Sequence, residues 1–167
     1  MTVTVALVGD TMLGRGVGQA LARTPSEGLV APEVRAVLGQ ADLVVLNLEC
    51  CISERGRPWD APGKAFLFRA PPRAVELLVL LGADCVTLAN NHALDYGVDA
   101  LADTLDLLAG AGIAAVGAGP DLARARRPAT LAAGGLRVTV LEVTDHPPDF
   151  AAAPDRPGVA FADLGRR

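Results

Sequence analysis

The chain has 167 residues, enough for one domain with a sizeable core. Hydrophobic residues make up 51% and aromatics only 4%, so the core must be aliphatic. A charged fraction of 20% and a net charge of -4 exclude a disordered chain and argue against nucleic acid as the main partner, because phosphate binding needs a basic face.

In chain order, the first apolar run is Val3 to Val8, which reads as a buried strand and ends in Gly9-Asp10. A helix over Gly14 to Ala22 follows, then a short one over Glu33 to Leu38, opened by Pro32. Leu43 to Leu46 is the second strand. Ser53 to Pro72, with several prolines and glycines, reads as a long surface loop of the kind that often carries function. Arg73 to Leu81 is helical, with Gly82 as its stop. Cys85 to Leu88 is the third strand. Val98, Leu101, Ala102, Leu105, Leu108 and Ala109 then recur at helical spacing, with Asp99, Asp103 and Asp106 on the opposite face and Gly110 and Gly112 at the end. Ile113 to Val116 and Val138 to Val143 complete five strands. Pro147 to Pro157 reads as a linker or loop. Strands alternating with helices predict a layered α/β fold, and near-continuous apolar strands predict a mostly parallel sheet covered on both faces.

Three cysteines, two of them adjacent (Cys50, Cys51, Cys85), make a poor disulfide framework and read as reduced thiols. No basic region followed by a long apolar stretch opens the chain, and no run is long enough to span a bilayer, so a cytoplasmic location without a membrane segment is expected. The basic clusters at Arg124, Arg126 and Arg127 and at Arg166 and Arg167 read as solvated surface.

Polar residues follow four of the strands: Asp10 the first, Asn47 and Glu49 the second, Asn90, Asn91 and His92 the third, Asp145 and His146 the fifth. In open parallel sheets ligands bind beyond the carboxyl ends of the strands, so these groups are expected at one edge. Asp10, Glu49 and Asn91 offer hard oxygen donors and His92 an imidazole, a set that suits Mn, Fe, Zn or Mg. Taken singly, each has a bland reading. Asp10 serves equally well as a helix cap, Glu49 as an exposed loop acid, the asparagines as turn residues, and His92 and His146 as turn or surface histidines. Gly14, Gly16 and Gly18 do not have the dinucleotide-binding spacing, which argues against a nucleotide fold.

Three stretches carry a resemblance. Gly9-Asp10-Thr11-Met12-Leu13-Gly14-Arg15, Asn47-Leu48-Glu49 and Ala89-Asn90-Asn91-His92-Ala93-Leu94-Asp95-Tyr96-Gly97 resemble, in order and separation, the N-terminal motifs of the CapA family. That family serves poly-gamma-glutamate capsule biosynthesis and is similar to the calcineurin-like metallophosphoesterases. The resemblance spans about residues 3 to 163. It implies an α-β-β-α sandwich, with Asp10, Glu49 and Asn91 as metal ligands for Mn or a similar divalent ion. It further implies His92 as catalytic acid, Asp95 as the residue orienting it, and Arg15 against an anionic substrate group, either the polymer or a phosphoester. Met12 stands where many phosphoesterases carry another histidine, and the further histidine motifs of the superfamily are absent. The expectation is therefore a single domain incomplete at its C-terminus, with exposed apolar surface prone to self-association. It would be a metal-dependent hydrolase-like protein, inactive as this chain alone, or else a non-catalytic polymer- or partner-binding component. Family members are often exported or membrane-anchored.

Overall fold

The structure, a computed structural model, describes residues 2–60, 64–163 and 165. In chain order the elements are β1 (Val5–Thr11), α1 (Arg15–Leu21), α2 (Pro32–Leu38), β2 (Leu43–Leu48), β3 (Cys51–Ile52), β4 (Arg69–Ala70), α3 (Ala74–Leu80), β5 (Cys85–Thr87), α4 (Gly97–Gly110), β6 (Ala114–Val116), β7 (Ala118–Gly119), α5 (Leu122–Ala125), β8 (Ala129–Ala133), β9 (Leu136–Val140) and β10 (Gly158–Val159). β1, β2, β5 and β6 form a parallel sheet in the order β1-β2-β5-β6, and helices cross between them, so the fold is the expected α/β layering. Among the described residues no helix is long and apolar enough to cross a membrane.

Side chains alternate across the sheet and divide the core in two. Leu46, Leu48, Val86 and Leu88 pack with Leu21, Leu77, Leu78, Leu101 and Leu108 from α1, α3 and α4. On the other face Val45, Cys85 and Val116 meet Val5, Ala129, Leu131 and Val140. The second layer is thinner. Leu7 on the edge strand β1 stays 80% exposed, so the expectation of a sheet covered on both faces fails there.

Two helix stops follow the predicted chemistry. Gly82 and Gly112 take positive φ angles of 71° and 74°. The next residue's N–H then reaches back to the helix, Ala83 to Leu78 O and Ile113 to Leu108 O, and satisfies carbonyls that a helix end leaves open.

Three expectations need correction. First, the strand read at Val138 to Val143 is β9, and it pairs antiparallel with β8 as a hairpin outside the parallel sheet. Gly134 and Gly135, with φ of 54° and 79°, supply the tight two-residue turn that joins them. Second, the inward face of α4 is Ala100, Leu101, Thr104 and Leu108, whereas Val98, Ala102 and Ala109 are exposed. Thr104 explains the rotation, because its buried hydroxyl accepts from Ile52 N–H at 2.8 Å and donates to Ala100 O at 2.7 Å. Third, of the two readings of Pro147 to Pro157 as a linker or a loop, the loop holds and the linker does not, because the segment is packed against the core. Phe150 is among the largest fully buried side chains and meets Trp59 edge-on at 5.0 Å.

Candidate functional site

β1 carries an irregularity between Val8 and Asp10, so Val8 pairs with Leu46 while Asp10 pairs with the very next residue, Asn47. Gly9 is the extra residue, a bulge that puts Asp10 in register with Asn47. Asp10 thus lies inside β1, and α1 is capped by Gly14 without a side-chain bond, so Asp10 is not a helix cap. Met12 turns its sulfur to the start of that helix, where Sδ accepts from Gly14 N–H at 3.1 Å.

Asparagines stitch the strand ends together. Asn47 Nδ2 donates to Asp10 Oδ1 at 2.8 Å. Asn90 Nδ2 donates to Asn47 Oδ1 at 2.9 Å and to Leu48 O at 3.0 Å, and Asn90 Oδ1 accepts from His92 N–H at 2.9 Å. Asn90 is therefore a brace that shapes the turn presenting Asn91 and His92. Glu49, with 24% of its side chain exposed, has Oε1 4.0 Å from His92 Nε2.

His92 is buried, and its ring stacks on Phe68 with centroids 4.1 Å apart. Its Nδ1 lies 2.6 Å from Asp95 Oδ2. Asp95 is fully buried; its Oδ2 also accepts from Phe68 N–H at 2.6 Å, and its Oδ1 forms an ion pair with Lys64 Nζ at 2.7 Å without a hydrogen bond of good geometry. Lys64, 15% exposed, donates to Asn91 O as well. A carboxylate with these three partners remains an acceptor, so Nδ1 carries the hydrogen and Nε2 faces Glu49. The sequence reading missed Lys64. The signal was available: it is the sole lysine among fifteen basic residues.

A cavity of about 480 Å³ opens beside this cluster, lined by Asn91, His92, Lys64, Trp59, His146 and Phe150 among others. His146 thus joins the pocket although it does not follow a strand of the parallel sheet, while Asp145 is exposed and not part of the lining. Arg15 stands at the rim, its guanidinium 5.5 Å and 5.8 Å from the Phe66 and Phe68 ring centres. Its φ of 50° is the left-handed region, uncommon for a residue with a side chain.

The cysteines are buried and unpaired by disulfide, and burial pushes Cys50 and Cys51 up to about 12 and Cys85 up to about 11. They hold their protons at neutral pH and bring no thiolate to the site. The Asp10 and Glu49 carboxylates and the Asn91 amide suit a hard cation. Among the described residues, however, no group of three or more His, Cys, Asp or Glu side chains is arranged to hold a metal ion.

The family profile for the bacterial capsule synthesis protein PGA_cap matches residues 4–165. The chain belongs to this family. A Mycobacterium tuberculosis protein named "Probable polyglutamine synthesis accessory protein" is 35% identical, over 94% of this chain and 50% of the relative. The "PGA biosynthesis protein CapA" of Bacillus subtilis is 28% identical over 96% of this chain and 42% of its own length. The "Capsule biosynthesis protein CapA" of Bacillus anthracis is 29% identical over 86% and 35%. The chain spans half or less of the length of these three relatives.

Proposed function

We propose that this chain is a domain of the capsule and poly-γ-glutamate biosynthesis machinery, and that its strand-edge site is one side of a metal-dependent hydrolase centre. The observation that carries the reading is His92: buried, fixed through Nδ1 by Asp95, with Nε2 directed to Glu49 at the cavity. A histidine held this way donates a proton to a leaving group or takes one from water near neutral pH. The relatives' names favour an anionic polymer as substrate over a phosphoester.

Asp10, Glu49 and Asn91 would hold a divalent cation, Mn or else Fe, Zn or Mg. The remaining ligands are assigned to the part of the longer relatives outside the matched segment. Such a cation supplies an activated water and neutralises developing charge. The chain's own residues do the rest. Asp95 keeps the His92 tautomer, and Lys64 ties the 64–68 stretch to the His92 turn. Phe68 shields one ring face from water, and Arg15 meets an anionic substrate group at the rim.

The test is turnover of poly-γ-glutamate and of an aryl phosphoester with Mn, in this chain and in a full-length family member carrying the same motifs. In the longer protein His92→Asn is expected to lower kcat by about 10²- to 10⁴-fold. Undiminished turnover in that variant would sink the reading. With Asp10 and Glu49 not joined by a further His, Cys, Asp or Glu in a metal-holding group among the described residues, a second reading is a non-catalytic component that binds polymer or partner through a vestigial metal pocket. Polymer binding without turnover in either protein selects it.

A further inference from the structure

The chain segregates its charge. Between Ser53 and Arg73 five basic residues (Arg55, Arg57, Lys64, Arg69, Arg73) stand against two acids (Glu54, Asp60), a net +3 in a protein of net -4. Three of the five are committed: Arg55 to Asp103, Lys64 to Asp95, Arg73 to Glu76. Arg57 and Arg69 have no carboxylate partner among the described residues, and neither has Arg15.

Backbone contacts bring the three segments together. Gly14 packs on the backbone of Arg69 so closely that an added Cβ would lie 2.7 Å from Arg69 O, which sets Arg15 beside Arg69. Arg69 Nη1 donates to Arg55 O at 3.3 Å, which brings it next to the turn carrying Arg57. The guanidinium of Arg69 lies 4.1 Å over the Tyr96 ring, and that of Arg15 lies over Phe66 and Phe68. Aromatic faces hold a guanidinium flat and leave N–H groups at its edge for a carboxylate, in Arg69 those other than the Nη1 bonded to Arg55 O. Phe66 also lines the His92 cavity.

We propose that Arg15, Arg69 and Arg57 form a docking track for a polycarboxylate chain that leads into the His92 cavity. This rests on the polymer reading above. Repeating carboxylates engage successive guanidinium edges through charge-assisted hydrogen bonds. Asp10 and Glu49 carry the opposite charge at the strand edge, so the polymer's carboxylates stay on the arginine side and its amides reach Asn91 and His92.

Trp59, the only tryptophan, lines the same cavity and reports on its occupancy. The probe is poly-γ-glutamate of defined length, titrated against Trp59 emission, with its neutral methyl ester as comparator. Saturable binding of the acid form, weakened by salt, is expected, with none for the ester. Arg15→Glu and Arg57→Glu should each weaken it about tenfold, Arg69→Gln less, and Arg137→Glu on the distant hairpin under about twofold. Unliganded emission like that of the parent confirms that each variant is folded. If the track variants bind no worse than Arg137→Glu while His92→Ala still weakens binding, the track is wrong and the cavity reading survives. If the parent binds no polymer, both fall. Equal binding of the ester overturns the carboxylate recognition alone.

Discussion

The two ends of the candidate site are built differently. At one end Asp95 has no exposed surface and satisfies His92, Lys64 and Phe68 at once. At the other, Asp10 is exposed and its side chain meets a single amide, Asn47. Glu49 meets only the His92 ring, at 4.0 Å. The buried end orders itself from within the chain, because a desolvated carboxylate must gather its partners. The exposed end keeps its carboxylates in place with their charge unmatched by any lysine or arginine among the described residues. That contrast sets a side preorganised from within the chain against one left open to solvent.

Removing the hub breaks the comparison hardest. Asp95→Ala leaves the Phe68 N–H without its acceptor and the largely buried Lys64 ammonium without its counter-charge, and should cost about 3–5 kcal/mol in urea unfolding. The corresponding Asp10→Ala should stay within about 0.5 kcal/mol, as expected of an exposed group. Equal costs would mean that the two ends are not differently organised. Gly117→Ala comes next. An added Cβ would lie 2.5 Å from Glu142 Oε2 and 2.6 Å from Ala89 N, at a φ of 86°. The expected loss is roughly 2–4 kcal/mol, and the His92 ring resonances should shift because Ala89 opens the turn that carries it.

The difference between the two ends also explains what the sequence disclosed. The placing of Asp10, Glu49, Asn91 and His92 at one sheet edge was legible because they stand at or just past strand ends, and strand ends in a parallel sheet converge whatever the loops do. Lys64, Trp59 and Phe68 were not, because they lie in a stretch with almost no periodicity whose course is set by tertiary bonds such as Lys64 to Asp95 and Trp59 N–H to Asp95 O. The four-stranded sheet and the helix stops followed from apolar runs and glycines. The hairpin was missed although Gly134-Gly135 between two alternating segments marks it, because β8 is largely alanine and threonine and gives little apolar signal. The inward face of α4 was misjudged by counting apolar residues alone, since the turn is fixed by the buried hydroxyl of Thr104.

Glu142 offers a smaller and pH-dependent probe. Burial holds its carboxyl above the ordinary value, partly offset by hydrogen bonds from Ala89, Thr87 and Leu88. The folded protein therefore binds this proton more tightly than the unfolded chain, and stability falls as pH rises from about 4.3, the ordinary glutamate value. Glu142→Gln keeps an acceptor for Ala89 and removes the titration. Its stability relative to the parent should improve as pH rises above about 4.3 and level off once the folded protein's carboxyl is ionised, read by urea midpoints at each pH. A constant difference would show that the carboxyl is not held above its ordinary value.

The smallest effect belongs to a pair that resembles Lys64–Asp95 in chemistry and lacks its burial. Arg55 hydrogen-bonds Asp103 on α4, and with Ser53 it holds that carboxyl below the usual carboxylate range. The contribution is present above about pH 3.9 and lost as pH falls below it, the reverse of Glu142. Arg55 is 62% exposed, so water and salt screen the pair. Arg55→Ala should shift the urea midpoint only slightly, the shift should shrink in about 1 M salt, and the His92 resonances should stay where they are. A large salt-resistant loss, or a moved His92 ring, would mean that the loop carrying Arg55 is coupled to the hub, and that burial does not separate the two ion pairs.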